Sequence, residues 1–111
     1  MLKAAADKGH KKAQYRLGMC YKDGKGVEKD RKKAFDLFTK SANQGNGDAE
    51  YQLARAYLKG KGVTADEKKA RTWLKKALAH KKKGPKLMAK LQKKSAEGDE
   101  DAKRLLALVG K

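Results

Sequence analysis

Residues 13–30 of the chain, AQYRLGMCYKDGKGVEKD, return thirty-six residues later as residues 49–66, AEYQLARAYLKGKGVTAD. Register holds along the whole stretch: Ala13 stands over Ala49, Tyr15 over Tyr51, Leu17 over Leu53 and Tyr21 over Tyr57. Gly24 and Gly26 stand over Gly60 and Gly62, Val27 over Val63, Asp30 over Asp66, Lys33 over Lys69 and Ala34 over Ala70. Self-similarity at a fixed period of this size marks stacked helical units, none of which can bury its apolar face alone. Each unit packs only on its neighbours, so the repeat dictates an elongated stack before any other residue is considered.

The first unit divides into two helices. A helix A is predicted from His10 to Asp23. At 100° per residue it gathers Ala13, Leu17, Cys20 and Tyr21 on one side, with Gly18 beside them. Gly24 suits the left-handed residue that ends helices, and Val27 is the one apolar residue in the turn that follows. Asp30 is placed to N-cap a helix B from Arg31 to Asn43, with Ala34, Leu37, Phe38 and Ala42 facing inward. In the second unit Asp48 is the expected cap of helix A, whose Ala49, Leu53, Ala56 and Tyr57 face the core. Thr64 and Glu67 have capping-box spacing before a helix B carrying Ala70, Trp73, Leu74, Ala77 and Leu78.

The pattern stops after Leu78. In place of a third frame the chain offers His80-Lys81-Lys82-Lys83-Gly84-Pro85, a strong breaker followed by a helix predicted from Lys86 to Glu97. This helix sets Leu87, Met88 and Leu91 on one side, and Gly98 ends it. Asp99, Glu100 and Asp101 then open a last helix with Ala102, Leu105, Leu106 and Val109 as its apolar residues; three acids suit the positive end of its dipole. At the other end, Leu2, Ala6 and Gly9 align with Phe38, Ala42 and Gly45. The predicted division is a partial repeat at 1–9 (the end of a helix B), repeats at 10–45 and 46–81, and a divergent hairpin at 82–111 that caps the stack. Either the protein starts on a half-repeat or it was cut from a longer array, and the exposed edge admits a weak end-to-end dimer as well as a monomer.

The frame A-x-x-x-L-G-x-x-Y-x-x-G-x-G-V-x-x-D-x-x-K-A, followed by K-[SA]-A-x-x-G, resembles the Sel1-like repeat, a relative of the tetratricopeptide repeat. The first copy fits at Ala13, Leu17, Gly18, Tyr21, Gly24, Gly26, Val27, Asp30, Lys33, Ala34, Phe38, Lys40, Ala42 and Gly45. The second departs where Ala54 replaces the glycine, Leu78 the second alanine and Lys81 the closing glycine. The resemblance implies an all-α fold, an α/α superhelical solenoid of Sel1-like helical hairpins whose concave surface is lined by helices A. It also implies a non-enzymatic adaptor that holds other proteins, an immunity protein against a toxin being one concrete form. Secreted cysteine-rich members carry a disulfide in every repeat; Cys20 is the chain's one cysteine, so that branch does not fit.

Charge bears on partners rather than on fold. With 30 Lys and Arg against 13 Asp and Glu the net charge is +17, compatible with acidic proteins, nucleic acid or anionic membrane surfaces. Arginine occurs only at positions 16, 31, 55, 71 and 104. Lysine is a hydrated point charge without the planar fork that reads phosphate and guanine, which favours diffuse attraction. No apolar run approaches the ~20 residues of a transmembrane helix, and MLKAAADKGHKK lacks the apolar core of a signal peptide. A cytoplasmic protein with no membrane span is expected, if the N-terminus is the natural one.

Two surfaces emerge as candidates. The helix-A positions opposite the core read Lys12, Arg16, Met19 and Asp23 in the first repeat and Asp48, Gln52, Arg55 and Lys59 in the second. Mixed charge with one methionine suits a protein contact; solvated helix positions are the bland alternative. The basic patch is Lys81, Lys82, Lys83, Lys86, Lys90, Lys93 and Lys94. Nucleic acid would neutralise phosphates there, but no aromatic lies between Lys75 and Lys111 to stack a base. Gly24-x-Gly26 and Gly60-x-Gly62 follow helices and lack the partners of a phosphate loop, so they read as structural turns. His10 and His80 have no ligand at metal spacing, and no catalytic triad can be assembled. A non-enzymatic adaptor for a protein partner, acidic in character and with no cofactor, is therefore the leading expectation. A nucleic-acid module and a spacer from a longer scaffold are the alternatives.

Overall fold

The computed structural model describes residues 9–110, an elongated body of 40 × 27 × 24 Å. Six helices follow one another: α1 (Lys11–Asp23), α2 (Arg31–Ala42), α3 (Gly47–Lys59), α4 (Glu67–Leu78), α5 (Lys83–Ala96) and α6 (Glu100–Val109), with no strand among the described residues. They pair as α1–α2, α3–α4 and α5–α6. The reading of residues 1–9 as the end of a helix B lies, up to residue 8, outside the described residues.

The repeated frame is repeated geometry. Gly24 and Gly60 close α1 and α3 at φ 72° and 70°, the left-handed conformation that only glycine adopts without strain. The amide of Asp30 donates to the Tyr21 carbonyl at 2.9 Å and that of Asp66 to Tyr57 at 2.8 Å. Each aspartate then N-caps its helix B, accepting from the Lys33 amide at 3.0 Å and the Lys69 amide at 3.1 Å. The frame lysine closes the turn: Lys33 Nζ lies 5.4 Å from the Tyr21 ring centroid and Lys69 Nζ 5.6 Å from that of Tyr57. Thus the signature tyrosine, aspartate and lysine form one corner, built twice.

Two helix starts differ from the sequence expectation. Asn46, not Asp48, caps α3, its side-chain oxygen accepting from the amides of Asp48 and Ala49. Asn46 is also buried, held by a 2.9 Å bond to Ser41 Oγ, which in turn donates to the Lys11 carbonyl at 2.6 Å. Asp48 falls inside the first turn, where its charge meets the helix dipole instead. The Thr64–Glu67 box does not form, because Asp66 takes the cap and Glu67 becomes the first helical residue. Past the breaker, α5 begins at Lys83 rather than Lys86. That is thirty-six residues after the start of α3, with Gly84 and Pro85 inside its first turn. The α5–α6 connection is shorter than the glycine loops, only residues 97–99.

The core comes in clusters along the stack. Ala13 and Leu17 of α1 pack with Tyr21 and Leu37. Ala34, Phe38 and Ala42 of α2 meet Ala49 and Leu53 of α3, with Met19 against them. Tyr51, Ala54 and Leu58 of α3 join Ala70, Leu74 and Ala77 of α4, Leu91 of α5 and Ala102, Leu105 and Leu108 of α6. Leu53, Leu74, Leu91 and Leu105 lose all contact with solvent, each contributing about 1.5–3 kcal/mol of transfer free energy. Helix α3 supplies two clusters from opposite sides, so it is the central element of the fold. Cys20, Tyr21, Leu37, Tyr57, Trp73, Leu78 and Val109, all expected inside, are only half-buried, whereas Leu108 is buried without having been expected.

Candidate protein-binding clefts

Stacking one hairpin on the next leaves a furrow between α1 and α3, and the predicted helix-A residues divide between its two ends. Asp23, Gln52, Arg55 and Lys59 line a cleft of about 220 Å³ at the turn end. Lys12, Arg16 and Asp48 line a second, at the opposite end, together with Tyr15, His80 and Lys83. Met19 lines neither; it is half-buried against the Phe38–Leu53 cluster, which corrects its placement as an exposed contact. Gln52 is likewise not a surface residue: 7% exposed, it hydrogen-bonds the Tyr15 side chain. Both corrections have one cause. A helix packed on two sides has no wholly solvent face for its "opposite" positions to occupy.

The turn-end cleft draws most of its charge from residues outside the predicted stripe. Lys22, Lys29, Arg31 and Lys61 join Arg55 and Lys59 on its walls, against the single carboxylate of Asp23. Its floor is apolar, made of Ala34, Phe35, Phe38 and Ala56. Two of its cations are internally satisfied: Lys22 holds Asp23 at 3.0 Å, and Lys59 holds Asp101 of α6 at 2.9 Å. The Lys59 hydrogen bond keeps the Asp101 carboxyl below the usual carboxylate range, and the Lys22 bond does the same for Asp23. Asp101 is therefore a tie between α6 and α3 rather than a purely solvated cap. Asp99 is the actual N-cap of α6, accepting from the Ala102 amide at 3.0 Å. Lys61 is crowded by like charge: the Arg31 guanidinium foremost, with Lys59 and Lys29, makes its ammonium easier to deprotonate than an ordinary lysine.

The opposite cleft is electrically mixed. Lys83 approaches Asp48 at 3.2 Å, a pair more than half exposed on both sides. Burial raises the Tyr15 hydroxyl above the ordinary tyrosine value, with the Asp48 charge adding to it. Behind them His80 Nε2 sits 2.7 Å from Oε1 of Glu50, whose side chain is 9% exposed. Of the basic patch, Lys81, Lys82, Lys86 and Lys93 are exposed, Lys94 is half-buried, and Lys90 lies 5.9 Å from the centroid of the Tyr51 ring. Arg55 approaches the same ring at 5.9 Å, so Tyr51 links the patch to the furrow.

The pattern of hairpins and corners has a family. The model of the Sel1 repeat matches residues 11–46 and again 47–81, well over half of the chain. The chain belongs to the Sel1 repeat family. Three solved structures share its fold. A Sel1 repeat protein from Oxalobacter formigenes is 35% identical, with a TM-score of 0.69 over 96% of this chain and 67% of that one. A protective antigen present in uropathogenic Escherichia coli strains, which displays an SLR fold, is 39% identical over 68% of this chain with a TM-score of 0.68. Helicobacter pylori cysteine rich protein B is 28% identical over 91%, with a TM-score of 0.66. The Sel1 chain described here spans 16% of the length of the Escherichia coli antigen and 63% of the Helicobacter protein. No curated protein matches it.

Sel1-repeat proteins mediate protein–protein interactions and are typically non-enzymatic scaffolds. Among the described residues, no group of His, Cys, Asp and Glu could hold a metal ion and no helix is long and apolar enough to cross a membrane. The cleft residues that sequence reasoning missed, Lys22, Lys29, Arg31 and Lys61, lie at a helix end, in the turns and at the start of α2. A helical wheel of helix A cannot display them; the clustering of lysine around both glycine turns is the signal that could have found them.

Proposed function

We propose that this Sel1-repeat chain is a non-enzymatic adaptor that binds an acidic protein partner through the helix-A furrow and its basic rim. The observation that carries this reading is the turn-end cleft, where six cations face one carboxylate above an apolar floor. Complementary charge speeds encounter and selects partners, while the floor supplies the apolar area that charge alone cannot. An inhibitor or immunity role is one concrete form of such binding, with the furrow occluding a surface of the partner. The lysine stripe of α5 serves as the rim, lowering selectivity but raising the capture rate.

Affinity capture followed by chemical cross-linking tests this. Lysine-reactive cross-links from a captured protein are expected on Lys12, Lys29, Lys59 and Lys61, to survive nuclease treatment, and to weaken with salt. If nuclease removes every captured species, the chain is a nucleic-acid module and the adaptor reading fails.

A further inference from the structure

Resting on the adaptor reading, we infer that the turn-end cleft is the seat of an extended acidic segment of the partner, which places one aliphatic side chain on the Phe35–Phe38 floor and carboxylates on Arg31 and Lys61. Three features of the cleft lead there. First, its cations are unevenly satisfied: Lys22 and Lys59 have carboxylate partners at 3.0 and 2.9 Å, whereas among the described residues no carboxylate lies within ion-pair reach of Arg31, Lys29 or Lys61. The field they create is felt inside the molecule, since Arg31 leads the charges that disfavour the ammonium of Lys61. An incoming carboxylate between them relieves that repulsion as well as forming new bonds.

Second, the fold fixes these cations rather than leaving them to chance. The second glycine loop lies directly on the start of α2: a Cβ on Gly62 would collide with the Arg31 carbonyl. That close approach brings Lys61 to Arg31 across the boundary between repeats. Among the described residues the first loop makes no such contact, because a Cβ on Gly26 would meet none of them within 4 Å. The cationic pair is thus a product of stacking and belongs to the furrow.

Third, the floor suits an aliphatic side chain better than a base. Phe38, Ala34 and Ala56 are buried, with Phe38 only 3% exposed. Phe35 is half-buried with its ring edge-to-face against Tyr57 at 5.4 Å. Single-strand binding relies on aromatic faces offered to successive bases, and recessed rings offer no such platform. A cleft of about 220 Å³ has room for one large aliphatic side chain and little more. An acidic protein segment matches both parts of the site.

Fluorescence anisotropy with a labelled short peptide of Asp and Glu around a central leucine tests the assignment. Its central-alanine version, and a single-stranded oligonucleotide of equal charge, are the comparison probes. The leucine peptide is expected to bind about tenfold more tightly than the alanine one, as partial burial of the side chain predicts. Arg31→Glu combined with Lys61→Glu should weaken it by about tenfold or more, and higher salt should weaken it further. Arg31 is exposed and Lys61 half-exposed, so folding should survive, with circular dichroism as the check. Arg71→Glu with Lys75→Glu, exposed on α4 and outside both clefts, should leave affinity unchanged, while Lys12→Glu with Arg16→Glu, at the far cleft, should weaken it less than the Arg31/Lys61 pair does.

Equal affinity for the leucine and alanine peptides overturns the apolar seat. Loss of binding in the Lys12/Arg16 pair but not in the Arg31/Lys61 pair overturns this site while leaving an acidic partner for the chain. Tighter binding of the oligonucleotide, with displacement of the peptide, assigns the cleft to nucleic acid. No binding of either peptide at low salt defeats this inference, while the adaptor reading falls only if nuclease also removes every captured protein.

Discussion

In the first repeat Gln44 donates from Nε2 to Oε1 of the buried Gln14 at 2.6 Å; thirty-six residues on, His80 meets the buried Glu50 at 2.7 Å. The same bridge from the end of helix B to helix A is built once from neutral amides and once from ionisable groups. Similar pairs of differences run through the two repeats. Gly18 faces the ring of Phe38, and a Cβ there would lie 2.8 Å from it. At the equivalent places the second repeat has Ala54 and Leu74, a methyl gained on one helix and a ring lost from the other. Ser41, bonded to Asn46 and Lys11, becomes Ala77. What the comparison teaches is that the frame fixes backbone corners, while the side chains between helices need only satisfy volume and polarity jointly.

The largest expected effect separates the two glycine loops. Gly26 and Gly62 share a left-handed backbone at φ 72° and 78°, so alanine at either pays roughly 1–2 kcal/mol for that conformation. At Gly62 the added methyl also strikes the Arg31 carbonyl, and overpacking adds about 1–3 kcal/mol. Gly62→Ala is therefore expected to lower unfolding free energy in urea by about 2–5 kcal/mol, and to disturb the Arg31–Lys61 wall. Gly26→Ala should cost only the conformational part. Equal losses would mean that the second loop does not rest on α2 in solution.

Next in size is the ionisable bridge. His80→Ala strands a buried carboxylate on Glu50, a loss of about 1–3 kcal/mol. Gln44→Ala, on the exposed end of the neutral bridge, should cost about 1 kcal/mol. Converting the second bridge into the first, by Glu50→Gln with His80→Gln, should restore most of the stability lost in His80→Ala. A double variant as weak as His80→Ala would show that the two bridges are not equivalent.

The gap between what the residues announced and what the structure holds follows the same line. Repeat register, turn glycines and the Asp30 and Asp66 corners were legible because they are local and occur twice. Two competing caps were not: Asn46 wins over Asp48 because Ser41 holds its amide, a contact across a turn that spacing does not reveal. Met19 and Gln52 were misplaced because a wheel assumes one buried face, whereas Met19 of α1 packs on the cluster shared by α2 and α3, and α3, which carries Gln52, is enclosed by α2 on one side and by α4 and α6 on another. Most of the cleft came from elsewhere for a related reason. Its cations Lys29 and Arg31 approach α3, and Lys61 approaches the start of α2, only when one repeat stacks on the next, and stacking distance is not written in the period.

A smaller effect tests the compensation between Gly18 and Phe38. Replacing an interior helical glycine by alanine favours the helix by about 0.5–1 kcal/mol, but crowding the ring costs about 1–3 kcal/mol. Gly18→Ala should therefore destabilise by about 0–2.5 kcal/mol, the balance of those two effects. Adding Phe38→Leu, which copies Ala54 and Leu74, should cost less than the two single losses added together. A double-mutant cycle reads that coupling directly; strict additivity would show that the ring does not touch α1.

The smallest expected effect lies where the C-terminal hairpin, which lacks the repeat frame, is tied to α3. Asp101 and Lys59 meet at 2.9 Å with about a third of each side chain exposed, so solvent screening limits the pair to about 0.2–1 kcal/mol. The sign of its pH dependence follows from the direction of the shift. Lys59 holds the Asp101 carboxyl below its ordinary value of 3.8 in the folded chain, so the unfolded chain takes up this proton first as pH falls. The contribution is complete above the ordinary carboxylate value and is lost as pH drops through the lowered one. Asp101→Asn should thus lower stability slightly at neutral pH and flatten the acid limb of the stability curve, measured by urea unfolding across pH. Because Lys59 also borders the turn-end cleft, the same substitution frees a cation there and should tighten binding of the acidic peptide. A variant that loses stability in acid as steeply as the parent, and binds no better, would show that α6 and α3 are joined by their apolar contacts alone.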